Sequence, residues 1–180
     1  MKTKIVFLAG FMGAGKSTVG PILANTLGWS FFDLDEVIEA KLGKKIVDIF
    51  SENGEAAFRL LEREILQELV RNENVIIALG GGTIADQQNI NFMKGKGKII
   101  FLDASRESYY HRLKYKTDRP ILKGENEELL SQDELKQRIT EILNYRKKFY
   151  DQADVSVDTD KKSIGNTVDE ISKIILKDFE

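Results

Sequence analysis

Apolar and β-branched residues gather in five short runs, Lys4 to Ala9, Ser30 to Leu34, Val75 to Leu79, Lys98 to Leu102 and Val155 to Val157. Between these runs the apolar positions recur at helical spacing. Near-continuous apolar strands alternating with helices predict a parallel sheet, because a strand covered on both faces has no polar side to alternate with. The expected fold class is α/β, with three layers and five parallel strands. Only Pro21 and Pro120 interrupt the pattern, and no linker, repeat or low-complexity tract divides it, so residues 1–180 read as one domain.

Two helices can be read closely enough to place side chains. From Ser131 to Tyr150, Ser131 and Glu134 form a capping-box start, and Leu135, Ile139, Ile142, Leu143, Phe149 and Tyr150 make one apolar stripe. At ~100° per residue Arg146 falls inside that stripe, about 20° from Leu135. A second helix, from Glu55 to about Arg71, carries its stripe on Phe58, Leu61, Ile65 and Leu69, with Glu62 inside it and Arg59 on its flank. Inward-facing charges need partners or ligands. Pro21 lies beyond the first turn of another helix and predicts a local distortion there. Lys114 to Leu130 is a polar, glycine-containing stretch of the kind that forms lids or binding loops.

Composition narrows the chemistry. The 180 residues are 42% hydrophobic and 31% charged, an ordinary globular balance, and a chain this long buries a sizeable core. With no cysteine there are no disulfides and no thiolate metal sites, and a reducing, cytoplasmic setting is expected. The single histidine, His111, reads as a surface or half-buried side chain and excludes multi-histidine metal centres. A net charge of −2 with no basic block beyond doublets argues against nucleic acid. No apolar run approaches the ~20 residues of a membrane span. Lys2 and Lys4 ahead of Ile5 to Ala14 imitate a signal peptide, but cleavage there would destroy the strongest motif in the chain.

That motif is Gly10-Phe11-Met12-Gly13-Ala14-Gly15-Lys16-Ser17-Thr18, a complete G-x-x-x-x-G-K-S between a strand and a helix. Its glycines let backbone N–H groups turn around a phosphate, Lys16 reaches the β and γ phosphates, and Ser17 offers a hydroxyl to Mg²⁺. Asp33 and Asp35 in Phe32-Asp33-Leu34-Asp35 would point the same way if the strand stays extended. One could serve Mg²⁺ and the other an acceptor hydroxyl, or Asp35 could merely cap a helix beginning at Glu36. Gly80-Gly81-Gly82 suggests a ligand approaching bare backbone. Arg119 is a candidate for closing on a transferring phosphoryl group. Tyr115-Lys116-Thr117-Asp118 falls short of the guanine-selecting N-K-x-D pattern, which argues against a GTPase.

Taken together, Gly10 to Thr18, Phe32 to Asp35, Phe58-Arg59 with Glu62, Gly80 to Gly82, Arg119-Pro120, Arg146 followed by Tyr150, and Val157-Asp158-Thr159 resemble the shikimate kinases over essentially the whole chain. The resemblance implies a P-loop NTPase fold of the nucleoside-monophosphate-kinase type, with a substrate-binding helical segment at about 33–62 and a lid at about 114–130. It implies ATP-dependent phosphorylation of the 3-hydroxyl of shikimate by a monomer. Asp35, Arg59, Gly81, Gly82 and Arg146 would hold shikimate, with Glu62 orienting Arg59. Gly13, Ala14, Gly15, Lys16, Ser17, Thr18 and Arg119 would attend the phosphates, Ser17 and Asp33 the Mg²⁺, and Arg112 and Asp160 the adenine. Asp35, Lys16 and Arg119 would be catalytic. A P-loop kinase for another carboxylated polyol, such as gluconate, is the nearest alternative, and a catalytically silent nucleotide-binding module a more distant one.

Overall fold

The computed structural model describes residues 4–115, 128–160 and 162–178. Its elements run β1 (Ile5–Gly10), α1 (Lys16–Leu27), β2 (Ser30–Asp33), α2 (Leu34–Leu42), α3 (Ile46–Leu69), β3 (Val75–Ala78), a 3₁₀ turn (Thr83–Ala85), α4 (Gln87–Lys94), β4 (Lys98–Asp103), α5 (Arg106–Leu113), α6 (Gln132–Tyr150), β5 (Val155–Asp158) and α7 (Ile164–Asp178). All five predicted strands are present. They form one parallel sheet in the order β2-β3-β1-β4-β5.

β1 lies at the centre, buried at every position. Its side chains alternate between faces, so Val6 and Leu8 join one core with residues of α1, α5 and α7, while Ile5, Phe7 and Ala9 join another with residues of α2, α3 and α4. The chain builds β2 and β3 on one side of β1 and then crosses to β4 on the other. In parallel α/β sheets the ligand crevice opens at the carboxyl ends of the strands where that direction reverses, here beyond Gly10, Ala78 and Asp103.

Two local expectations change and a third holds. α6 begins as predicted, with Ser131 and Glu134 forming a capping box, but its stripe does not serve one core. Leu135 and Ile139 pack in the first, Phe149 and Tyr150 in the second, and Leu143 touches both. α6 therefore wraps from one sheet face to the other and carries Arg146 across the open end. The helix read from Glu55 does start there: Gly54, whose φ of +76° is outside the helical range, separates it from a preceding helical stretch that begins at Ile46, and the two together make up α3. Pro21 sits inside α1 without a break in its helical backbone. The carbonyl it leaves without a helical partner belongs to Ser17, an exposed residue that water can reach.

Gly20, on the buried side of α1, faces the Phe31 ring of β2 so closely that a Cβ would run into it. Alanine at a helix interior ordinarily gains up to ~1 kcal/mol over glycine, whereas overpacking costs about 1–3 kcal/mol. Gly20→Ala is therefore expected to lower unfolding stability in urea by about 1 kcal/mol. A variant more stable than the parent would show that Phe31 swings aside freely.

Candidate active site

The loop after β1 makes its turn through Gly13 (φ +81°) and Gly15 (φ +100°), left-handed conformations that a side chain strongly disfavours. Gly15 is the N-cap of α1 and brings no side chain to cap it, which leaves the positive end of that helix for an anion. Lys16 Nζ donates to the carbonyl oxygens of Gly10 at 2.9 Å and Phe11 at 3.4 Å, folding back over the loop. The loop opens into a cleft of about 550 Å³ lined also by Asp33, Asp35, Arg112 and Thr159.

Asp33 ends β2 and does two things. Its Oδ1 accepts the backbone N–H of Asp35, capping α2, and its Oδ2 accepts the Ser17 hydroxyl at 2.7 Å. The helix cap is therefore Asp33 and not Asp35. The carboxylates share a cleft because residue 33 caps the helix and residue 35 sits in its first turn, not because an extended strand alternates through them. A hydroxyl and a carboxylate oxygen in contact beside the phosphate loop are hard donors that suit Mg²⁺, which binds few protein ligands and completes its shell with phosphate and water.

The other half of the site forms where β3 gives way to Gly80-Gly81-Gly82. A Cβ on Gly80 would stand 2.5 Å from Asp35 Oδ1 and 3.0 Å from Glu62 Oε1, and one on Gly81 would be 3.5 Å from Arg146 Nη1. One on Gly82 would collide with the Arg59 guanidinium. Four charged side chains lie against these glycines and take the space a side chain would need. Arg59, Gly82 and Arg146 line a second cleft of about 520 Å³ with Glu55, Asp86 and Tyr145.

Glu62, the charge read as inward-facing on α3, is 1% exposed and accepts from Arg59 Nη1 at 2.9 Å. Arg59 also meets Glu55 at 3.2 Å and lies over the rings of Phe58 and Phe50. Arg146 is half-buried. Below it, burial pushes the Tyr150 hydroxyl above its usual range while the Arg146 guanidinium pulls it back. Asp35 is the most perturbed acid of the cleft. Burial, then the charges of Asp33 and Glu62, push its pKa up to about 6 against an ordinary 3.8, and Lys16 and Arg59 only partly offset them. A carboxylate raised toward neutrality in a cleft is suited to accept a proton.

Arg112 and Asp160 serve the wall of the first cleft. Arg112 donates to the carbonyl of Gly13 at 3.2 Å and to the hydroxyl and carbonyl of Thr159. Asp160 Oδ2 accepts the backbone N–H of Ser105, and its carboxylate is 3.6 Å from Arg112. Although burial raises its pKa, hydrogen bonds from Ser105 and Ser108 and the Arg112 charge hold Asp160 below the usual carboxylate range. Its carboxylate is thus turned into the wall. His111 is exposed and pairs with Glu107, as its reading implied. Arg119 and residues 116–127 of the expected lid lie outside the described residues.

Sequence reasoning missed Thr83, fully buried against Glu62, and Lys162, Ile164 and Thr167, which line the first cleft. Lys162 is paired with Glu170 at 2.7 Å and also borders the first cleft. No spacing signal marks these four, because they reach the site through the packing of the 3₁₀ turn and α7.

Known proteins resemble this chain closely. A family model described as Shikimate kinase matches residues 12–176. Shikimate kinase of Chlorobium chlorochromatii is 45% identical over 171 residues, covering 95% of this chain and 90% of its own. The crystal structure of shikimate kinase from Bacteroides thetaiotaomicron superposes with a TM-score of 0.87 at 37% identity, over 97% of this chain and 99% of that one. Shikimate kinase from Acinetobacter baumannii in complex with shikimate gives 0.85 at 33% identity, over 98% and 94%. A gluconokinase from Sinorhizobium meliloti reaches only 0.53 at 14% identity, over 98% and 93%, a likeness of fold alone.

The raised pKa of Asp35 has a stability signature. The folded chain holds this proton more tightly than the unfolded chain, so ionising Asp35 costs the folded state nothing below about pH 4 and the full penalty above about pH 6. At 1.36 kcal/mol per unit the penalty approaches about 3 kcal/mol. Asp35→Asn should therefore unfold at a higher temperature than the parent at pH 7.5, with the gain vanishing near pH 4. A gain that is the same at both pH values would show that the carboxylate is not the source.

Proposed function

The chain belongs to the shikimate kinase family, and on that premise we propose how its own residues phosphorylate shikimate with ATP. The observation that carries the reading is the convergence of Asp35, Arg59 and Arg146 on Gly80–Gly82, one cleft away from a complete phosphate loop. Arg59 and Arg146 present two planar guanidinium groups to the second cleft, the geometry that grips a carboxylate bidentately. Gly81 and Gly82 let the cyclohexene ring of shikimate approach bare backbone, which brings its 3-hydroxyl toward Asp35.

The backbone from Gly13 to Thr18 and the N-terminal end of α1 cradle the phosphates of ATP, with Lys16 swinging from the loop carbonyls to the β and γ oxygens. Arg112 shapes the nucleotide wall. Ser17 and Asp33 would hold Mg²⁺, which when bound neutralises charge between the β and γ phosphates. Asp35 orients the acceptor hydroxyl and takes its proton as the oxygen attacks the γ-phosphorus in line; the bond to the β–γ bridging oxygen breaks and ADP leaves. Most of the catalysis is positioning and charge stabilisation. Arg119 completes the charge around the transferring group from the segment at 114–130, as a lid, and residues 33–62 form the substrate-binding segment.

Among the described residues no helix is long and apolar enough to cross a membrane. The cysteine-free chain suits the cytoplasm. The reading includes action on ATP and shikimate as a monomer. The net charge of −2 supports small-molecule rather than nucleic-acid partners.

The test is ADP release from ATP with shikimate, with gluconate, and with neither. Turnover is expected with shikimate alone, and equal turnover with gluconate would overturn the reading. Arg146→Lys should raise KM for shikimate at least about tenfold with little change in KM for ATP, since a point charge lacks the bidentate fork. Equal rises in both would make Arg146 a structural residue. The proton acceptor also sets the acid limb of the pH profile: kcat/KM for shikimate should fall as pH drops through about 6, where Asp35 becomes protonated.

A further inference from the structure

Glu62 is a buried carboxylate with two oxygens to satisfy, and they are satisfied from opposite sides. Oε2 accepts Arg59 Nη1 at 2.9 Å, and Oε1 accepts the Thr83 hydroxyl at 2.6 Å. Thr83 is 0% exposed, in the 3₁₀ turn that follows the three glycines. We propose that Thr83 is a positioning residue for substrate recognition: its hydroxyl locks the Glu62 carboxylate in the orientation that aims Arg59 into the second cleft.

The turn is built to hold that hydroxyl still. The N–H of Thr83 donates to the carbonyl of Gly80 at 3.2 Å, and its own carbonyl accepts Asn89 Nδ2 at 3.0 Å. Asn89 Oδ1 in turn accepts Arg63 Nε, and Arg63 pairs with Asp86 at 2.8 Å, so α3, the turn and α4 are tied together behind Thr83. Branching at Cβ also leaves Thr83 few side-chain rotamers. The Thr83–Glu62 hydrogen bond passes over Gly80, where a Cβ would stand 3.0 Å from both of its oxygens.

On the solvent side the restraints on Arg59 among the described residues are weaker, the Phe50 and Phe58 rings and an exposed acid. Its other carboxylate partner, Glu55, is 70% exposed, and an exposed ion pair contributes little to holding a long side chain in place. A guanidinium must be held in orientation as well as in position to meet a carboxylate through two bonds. Without the Thr83 hydroxyl, Glu62 keeps one buried partner and can rotate about it, and Arg59 rotates with it. This inference rests on the reading that Arg59 meets the substrate carboxylate.

The test compares Thr83→Val, which keeps the shape and loses the hydroxyl, with Thr83→Ser, which keeps the hydroxyl, and with Glu62→Gln and Arg59→Lys. Steady-state rates are measured with shikimate and ATP varied separately. Thr83→Val is expected to raise KM for shikimate about tenfold, the scale of a lost hydrogen bond to a charged group, with KM for ATP within about twofold and kcat little changed. Thr83→Ser should restore KM for shikimate to within about twofold of the parent. Should Thr83→Val not fold, Thr83→Ala against Thr83→Ser reads the same contrast. An unchanged KM for shikimate in the hydroxyl-free variants, alongside a raised one in Glu62→Gln, would overturn the role of Thr83 and leave the site reading standing. Equal loss for both substrates would overturn it too, as a general packing defect. If Glu62→Gln and Arg59→Lys also leave KM for shikimate unchanged, the site reading itself falls and this proposal falls with it.

Discussion

Four charged side chains crowd three consecutive residues that carry no side chains, each standing close to where a Cβ would be. Asp35 and Glu62 press on Gly80, Arg146 on Gly81 and Arg59 on Gly82. Asp35 comes from α2, Arg59 and Glu62 from α3, and Arg146 from α6, far along the chain, and they meet at the end of β3. A methyl group at Gly80 or Gly82 would displace an acid or a guanidinium from where the clefts need it. The short β3 strand, buried on both faces, fixes where this bare backbone emerges, and the rest of the site is arranged around it.

Bringing so many charges to one spot has an electrostatic consequence. Asp35 sits near Asp33 and Glu62 in a partly dehydrated cleft, and the neighbouring cations do not fully compensate, so its proton affinity rises. A carboxylate in water holds a proton too weakly to be an effective acceptor near neutral pH; one raised to about 6 is close to the useful range while still mostly ionised there. Glu62 solves the opposite problem. It is nearly inaccessible yet has hydrogen-bond donors on both oxygens, which is what a buried charge requires.

The phosphate half of the site depends on backbone more than on side chains. The left-handed glycines at 13 and 15 and the uncapped start of α1 provide the anion cradle, while Asp33 links it to the substrate half by capping α2 and accepting from Ser17. Residue 33 thus ties the loop at Ser17 to the start of α2 through one carboxylate. Arg112 performs the matching task at the far wall, tying the Gly13 carbonyl to the Thr159 segment.

Much of this was legible along the chain. The five strands, the phosphate loop, the capping box at Ser131 and the anomalous charges at Glu62 and Arg146 each rest on local spacing, because strand burial, helix periodicity and capping are set by residues a few positions apart. The placement of Asp33 and Asp35 was only half legible: either aspartate suits a cap, and which one capped depended on where β2 stopped and α2 began. Pro21 keeps helical backbone angles in α1, and the carbonyl it frees belongs to the exposed Ser17, a neighbourhood that its sequence position alone did not show. The double allegiance of α6, the burial of Thr83 behind Glu62, and Lys162, Ile164 and Thr167 at the cleft were decided only by tertiary packing. They involve pairs such as Thr83 and Glu62, 21 residues apart, and no periodicity within one helix or strand carries information about which turn will close over which helix.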